Sequence, residues 1–187
     1  QSEQAVTPDR KAAPAIITGC PGAGVVDLAA LLRQRAKAVV MDELSPMAHL
    51  DGAWPPSPPD NIVLEALRAK YLKLSAQHVR MKGARHLVDC SPAHLLRLDR
   101  ILHLFPHARF VVVVRHPADL LIANYIQAYA PSVISARLTR ASAVVQTIEA
   151  LDRLGHALVK RMGSRLHLVR YEDLVREPEI TVDAVLE

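Results

Sequence analysis

The sequence contains few cysteines, few aromatic residues and no long hydrophobic run. Its two cysteines, Cys20 and Cys90, have a spacing typical of neither a zinc site nor a disulfide framework, so we expect a reducing, cytoplasmic setting. No apolar run approaches the roughly 20 residues that cross a bilayer, and we expect no membrane association. One Trp, four Tyr and two Phe, without interleaved basic residues, argue against a nucleic-acid partner.

Hydrophobic residues make up 50% of the 187 residues, enough for a sizeable core in one domain. The formal net charge of +4 favours an anionic ligand. We expect residues 1–13 to form a polar N-terminal extension and residues 14–187 to form one α/β domain. The final segment ITVDAVLE has the pattern of a helix start, which predicts a domain truncated at its C-terminus and a neighbouring domain beyond residue 187.

Short apolar segments rich in β-branched residues alternate with helical patterns along the chain. Strands are predicted at 15–18, 38–41, 86–88, 110–114 and 166–169, and helices at 25–35, 61–78, 93–104, 118–129 and 140–161. This alternation predicts a three-layer, P-loop-like α/β fold with a mostly parallel sheet flanked by helices. Ligands of such sheets bind where the carboxyl ends of the strands meet.

Two strand ends have the residues of a phosphate site. AIITGCPGAGVVDLAALL reads as a strand, a glycine turn and a helix, with G-x-x-x-x-G from Gly19 to Gly24. A nucleotide-binding loop continues with Lys and Ser or Thr, but this chain has Val25 and Val26, so a P-loop kinase is a weak interpretation. Arg115 follows the longest predicted strand and suits phosphate by charge and geometry, although an ordinary ion-pair role is equally compatible with its position.

Three segments together resemble the sulfotransferases that use 3′-phosphoadenosine 5′-phosphosulfate (PAPS). LHLFPHARFVVVVRHPADLLIANY is similar to the family's Leu-Phe-Pro turn, strand and Arg-x-Pro-x-Asp helix start. LHLVRYEDLVREPEITV is similar to its Tyr-Glu-Asp-Leu segment, and AIITGCPGAGVVDLAALL lies where its 5′-phosphosulfate loop belongs. The likeness is closest to the branch of tyrosylprotein and tetratricopeptide-linked sulfotransferases.

The resemblance implies a donor site for PAPS or adenosine 3′,5′-bisphosphate. Arg115 matches the Arg that binds the 3′-phosphate, and Ala123 stands where the family has a Ser. The 5′ loop is degenerate, because Pro21 and Gly24 remain while four positions lack the usual side-chain donors; its backbone amides still suit a phosphate. The implied loop residues are Gly19, Pro21, Gly22, Ala23, Gly24, Val25 and Val26.

Other chemistry-bearing residues have two interpretations each. Glu43 matches the general base of the tyrosyl branch, with Asp42 as a fallback, but a surface or helix-start carboxylate is equally compatible. Cys90 stands where the family has a Lys and reads as a small buried hydrophobe. Tyr171, with the two acidic residues after it, reads as a structural strand-to-helix junction. The nine histidines share no ligand spacing, so no metal is expected.

Two functions from different classes follow. The first is transfer of a sulfuryl group from PAPS to a hydroxyl acceptor by a domain with an impaired donor site. The alternative is a catalytically inactive binding or assembly module with an unidentified protein partner, within a larger protein.

Overall fold

The computed structural model describes residues 14–35, 38–41, 47, 50, 54–55, 59–82, 86–128, 160 and 162–186. Strands and helices alternate through most of this part, as the sequence predicts, while the 1–13 extension and, apart from residue 160, the predicted helix 140–161 lie outside it. The elements are β1 (Ala15–Gly19), α1 (Val25–Arg35), β2 (Ala38–Met41), α2 (Asn61–Lys82), β3 (His86–Cys90), a 3₁₀ helix (Pro92–Arg97), α3 (Leu98–Leu104), β4 (Arg109–Val114), α4 (Pro117–Ala128), a 3₁₀ turn (Gly163–Arg165), β5 (Leu166–Arg170), α5 (Tyr171–Arg176) and α6 (Pro178–Leu186).

The five strands form one sheet in the order β2-β3-β1-β4-β5, and every neighbouring pair is parallel. Ile17 of β1 lies opposite Cys90 of β3 on one side and Val111 of β4 on the other. Because all strands run the same way, their carboxyl ends share one edge, with the end of β1 between those of β3 and β4. The predicted α/β fold with a parallel sheet flanked by helices is confirmed.

The core forms where apolar faces of the helices cover this sheet. Both Ile16 and Ile17 of β1 are buried although their side chains point to opposite faces, so the sheet is covered on both sides. Helix α1 buries Leu28 and Leu32, one turn apart, on the face toward the core. Asp60 begins α2 by accepting the Val63 amide at 2.9 Å, as helix-capping residues do.

The predicted helix 93–104 is split into the 3₁₀ helix and α3. Ser91 opens the 3₁₀ helix by accepting the Ala93 amide at 3.2 Å, and the tighter winding leads His94 into the core. His94 Nε2 lies 2.7 Å from Asp89 Oδ1, and both side chains are fully buried. The other Asp89 oxygen accepts the Met47 amide at 3.1 Å, so this carboxylate joins β3 to the segment after β2.

The last helix, α6, packs beside α1, and α5 packs against α6. Arg35 at the end of α1 pairs with Asp183 and, at 3.2 Å, with Glu179, both on α6. These ion pairs are solvent-exposed, so buried Leu174 and Val182 contribute more to holding the helices in place. None of the helices in the described ranges is long and apolar enough to cross a membrane.

Candidate functional site: the glycine loop and Arg115

The loop after β1 has a backbone shape that depends on glycine. At Gly19 a Cβ atom would lie 2.4 Å from the Val113 carbonyl oxygen, so glycine allows β1 and β4 to approach. Gly22 has φ +82° and Gly24 has φ +98°, in the left-handed region that other residues rarely adopt. The Ala23 amide donates to the Cys20 carbonyl at 2.9 Å and closes the turn before α1 begins.

The first turn of α1 presents backbone amides rather than side-chain donors. Amides in a helix's first turn have no acceptor within the helix, and they favour an anion through the helix dipole. Val25 is 2% exposed and packs into the core, while Val26 is 61% exposed. The buried Cys90 thiol lies 3.8 Å from the Val25 carbonyl oxygen, which agrees with the predicted role of Cys90 as a small buried residue.

Arg115 contacts this loop directly. It follows the end of β4, and its Nη1 donates to the Gly22 carbonyl oxygen at 2.9 Å. The structure thus brings together the two strand ends that the sequence indicates as a phosphate site. Arg115 Nε is shielded from solvent and has no hydrogen-bond partner among the described residues.

Tyr171 contacts both Arg115 and the glycine loop, although the sequence predicted only a structural role for it. The Arg115 Cζ atom lies 4.2 Å from the centroid of the Tyr171 ring, a cation–π contact. The same ring lies against Gly24, where a Cβ atom would stand 2.1 Å from the ring's Cδ2. The available signal was the place of Tyr171 immediately after β5, at the carboxyl edge of the sheet.

Glu172 ties the start of α5 to the start of α4. Its Oε1 accepts the His116 amide at 2.8 Å. This backbone hydrogen bond is the main reason that the pKa of Glu172 lies below its ordinary value. Glu172 therefore holds the residue after Arg115 in place, in agreement with the structural role predicted for this segment.

The remaining predicted residues are less informative. Pro21 is half-buried in the turn, and Ala123 is half-buried on α4 with no hydroxyl to offer a ligand. Glu43 and Asp42 lie outside the described residues. In the part of the chain that the structure describes, no three His, Cys, Asp or Glu side chains are grouped so as to hold a metal ion.

Comparison with known proteins identifies the family. The model of the sulfotransferase family matches residues 20–187. No curated protein matches the chain by sequence.

Three solved structures have a similar fold. The sulfotransferase domain of the Synechococcus PCC 7002 olefin synthase is 20% identical with a TM-score of 0.60, over 98% of this chain and 75% of that one. A sulfotransferase from Alicyclobacillus acidocaldarius is 15% identical with a TM-score of 0.56, over 92% and 78%. One from Mycobacterium avium is 15% identical with a TM-score of 0.56, over 92% and 62%. At these identities the likeness concerns the fold, whereas the family model covers most of the sequence, and the chain belongs to the sulfotransferase family.

Proposed function

We propose that this chain is a sulfotransferase domain that binds PAPS with reduced affinity and transfers its sulfuryl group to a hydroxyl acceptor. The observation that carries the proposal is the contact between Arg115 and the Gly22 carbonyl, which places a cation beside the glycine loop. Family membership provides the reaction class. The quoted segments further favour the tyrosylprotein and tetratricopeptide-linked branch.

The site offers two kinds of group to the anionic part of the donor, namely backbone amides and one guanidinium. The amides at the start of α1 suit the 5′ end, and Arg115 supplies the positive charge. The loop contributes no side-chain cation or hydroxyl, and Ala123 contributes no hydroxyl near the 3′-phosphate. The absence of these side-chain donors lowers both the affinity for the donor and the stabilisation of the charge that develops during transfer.

Glu43 is the proposed general base. It follows the end of β2 by two residues, and β2 ends at the same edge of the sheet as β1 and β4. In the reaction the acceptor oxygen bonds to sulfur, the bond from sulfur to the bridging phosphate oxygen breaks, and the hydroxyl proton passes to the Glu43 carboxylate. Adenosine 3′,5′-bisphosphate is the other product. Because both cysteines are free thiols, we also propose a cytoplasmic location.

A second candidate is an inactive binding or assembly module. The observation that favours it is the placement of Val25 in the core and of exposed Val26 at the first turn of α1, where donors to a sulfate are useful. The similar Synechococcus domain is part of an olefin synthase, so this fold does occur within a larger enzyme. A module of this kind keeps the fold and loses the transfer reaction.

Calorimetric titration with adenosine 3′,5′-bisphosphate, followed by a transfer assay with labelled PAPS, separates the two candidates. We expect measurable binding that Arg115→Gln weakens by about 10- to 100-fold, the range for a hydrogen bond to a charged group. Arg109→Gln is the matched control, because Arg109 is exposed at the opposite end of β4. Glu43→Gln is expected to abolish turnover and leave nucleotide affinity nearly unchanged.

Three results of these experiments distinguish the candidate functions and the role of Glu43. Nucleotide binding without transfer to any of a panel of phenols, alcohols and tyrosyl peptides supports the module. Absence of nucleotide binding at millimolar concentration contradicts the proposed donor site. Equal loss of binding and turnover in Glu43→Gln assigns that residue a structural role.

A further inference from the structure

We infer that Tyr171 is a positioning residue whose ring holds the Arg115 guanidinium against the glycine loop, so that the anion site keeps one positive charge although the loop itself has none. This inference rests on the proposed function, since it concerns the same anion site. It assigns the effect to the aromatic ring of Tyr171 and not to its hydroxyl.

The glycine loop itself has no positive charge. From Gly19 to Val26 no residue has a charged or hydroxyl side chain, and the next residue, Asp27, is an exposed carboxylate in the first turn of α1. An anion at the start of α1 therefore meets a negative charge nearby. Arg115, hydrogen-bonded to Gly22, is placed to offset it.

The hydrogen bonds of Arg115 do not involve its whole guanidinium group. Its Nη1 has one acceptor at Gly22, while its shielded Nε has none among the described residues. A guanidinium with a desolvated, unpaired N–H favours rotamers that reach water, unless another contact compensates. The face of the Tyr171 ring, 4.2 Å from Cζ, is that contact, because an aromatic face attracts a cation more strongly when water is excluded.

Two further features hold the ring in place. The ring lies against Gly24, where only a glycine leaves room for it. Glu172, the next residue, accepts the His116 amide and so joins the start of α5 to the residue after Arg115. The Tyr171 ring thus contacts both Gly24 and the guanidinium, and the guanidinium in turn contacts Gly22.

The test is a double-mutant cycle on nucleotide binding. Tyr171→Leu removes the aromatic face and keeps an apolar side chain, and Tyr171→Phe removes only the hydroxyl. We expect Tyr171→Leu to weaken binding of adenosine 3′,5′-bisphosphate about tenfold at low salt, less at high salt, and to leave binding of neutral adenosine unchanged. Tyr171→Phe is expected to stay within about twofold of the unmodified chain. In an Arg115→Gln background, Tyr171→Leu should have no further effect on binding.

Two binding results overturn the inference. One is a loss in Tyr171→Phe as large as that in Tyr171→Leu, which makes the hydroxyl the effective group. The other is the same tenfold loss in the Arg115→Gln background, which shows that Tyr171 acts independently of Arg115.

A stability cycle distinguishes failure of this inference from failure of the proposed function. If the unmodified chain binds no nucleotide, the proposed function fails, and the urea midpoints of the unmodified chain, Tyr171→Leu, Arg115→Gln and the double variant still decide whether the ring holds the guanidinium. Non-additive shifts of the midpoints support that hold, and additive shifts overturn it.

Discussion

The Arg115 guanidinium donates to the Gly22 carbonyl oxygen at 2.9 Å across 93 residues of sequence. The pairing of β1 with β4 explains this contact, since Gly19 lies opposite Val113 in a parallel register. Two residues beyond the ends of this register, Arg115 is level with the loop. The pairing of β1 with β4 therefore places the cation beside the loop, and Tyr171 contacts the guanidinium as well.

Gly24→Ala should destabilise the fold substantially. Gly24 has φ +98°, and an added Cβ would lie 2.1 Å from the Tyr171 ring, so strain and a steric clash act together. We expect a loss of at least about 2 kcal/mol in the free energy of unfolding, measured by urea denaturation.

Gly163→Ala is the matched control for this substitution. Gly163 also has positive φ, at +53°, but nothing lies within 4 Å of its added Cβ. The backbone term alone predicts a cost of about 1 kcal/mol. Equal costs at the two positions would mean that Tyr171 moves away from Gly24 without penalty.

Glu172 should make stability depend on pH in the acid range. The hydrogen bond from the His116 amide lowers the pKa of Glu172 in the folded state, so the unfolded chain binds the proton more readily. The contribution of Glu172 to the free energy of unfolding is fully present above the pKa that Glu172 has in the unfolded chain. It is lost as pH falls through the lower pKa of the folded state. Glu172→Gln should therefore flatten the acid side of a plot of unfolding free energy against pH. Profiles with the same slope for both proteins would contradict this role.

Both cysteines should be unreactive while the chain is folded. Burial raises the pKa of Cys20 to about 11, so about one thiol in a thousand is ionised at pH 8. Cys90 is 1% exposed. We expect slow labelling by a disulfide reagent at pH 8 and rapid labelling of two thiols after unfolding in urea. Fast labelling of the native protein would indicate opening of the core near the loop.

Much of the fold could be predicted from local pattern. Helix α1 has the predicted bounds, because Gly24 ends the turn and apolar residues recur at helical spacing after it. Strand β3 extends two residues further than predicted, over Asp89 and Cys90. A carboxylate such as that of Asp89 is typical of the end of a buried strand. Its buried partner, His94, lies on the 3₁₀ helix, and the sequence pattern alone does not indicate that the two side chains meet.

Site residues could be predicted from the sequence only where their position directly after a strand was enough to place them. The loop and Arg115 each follow an apolar strand, so the rule for parallel sheets places both at one edge. The role of Tyr171 depends on the register of β4 with β5 and on a ring orientation that sequence spacing does not encode. The assignment of Glu43 as base remains a prediction.

The two valines at the start of α1 provide a paired test of the impaired donor site. Val26→Thr and Val25→Thr make the same chemical change, but Val26 is 61% exposed and Val25 is 2% exposed. At position 26 the hydroxyl becomes available to an anion, and we expect affinity for adenosine 3′,5′-bisphosphate to rise by about 1.5–3 kcal/mol, with stability unchanged. At position 25 it is buried against the sheet and should cost about 1–3 kcal/mol of stability without a gain in affinity. Titration calorimetry and urea denaturation measure the two effects.

These single changes test the loop more directly than rebuilding the family's side chains all at once. Gly22→Arg would place a side chain at φ +82°, so its backbone strain would obscure any gain from the new charge. Ala23→Ser would bury a hydroxyl at a position that is 1% exposed. Because Val26→Thr avoids both problems, an unchanged affinity in that variant would contradict a missing hydroxyl as the cause of weak binding. Such a result, together with absence of transfer, would favour the binding-module function.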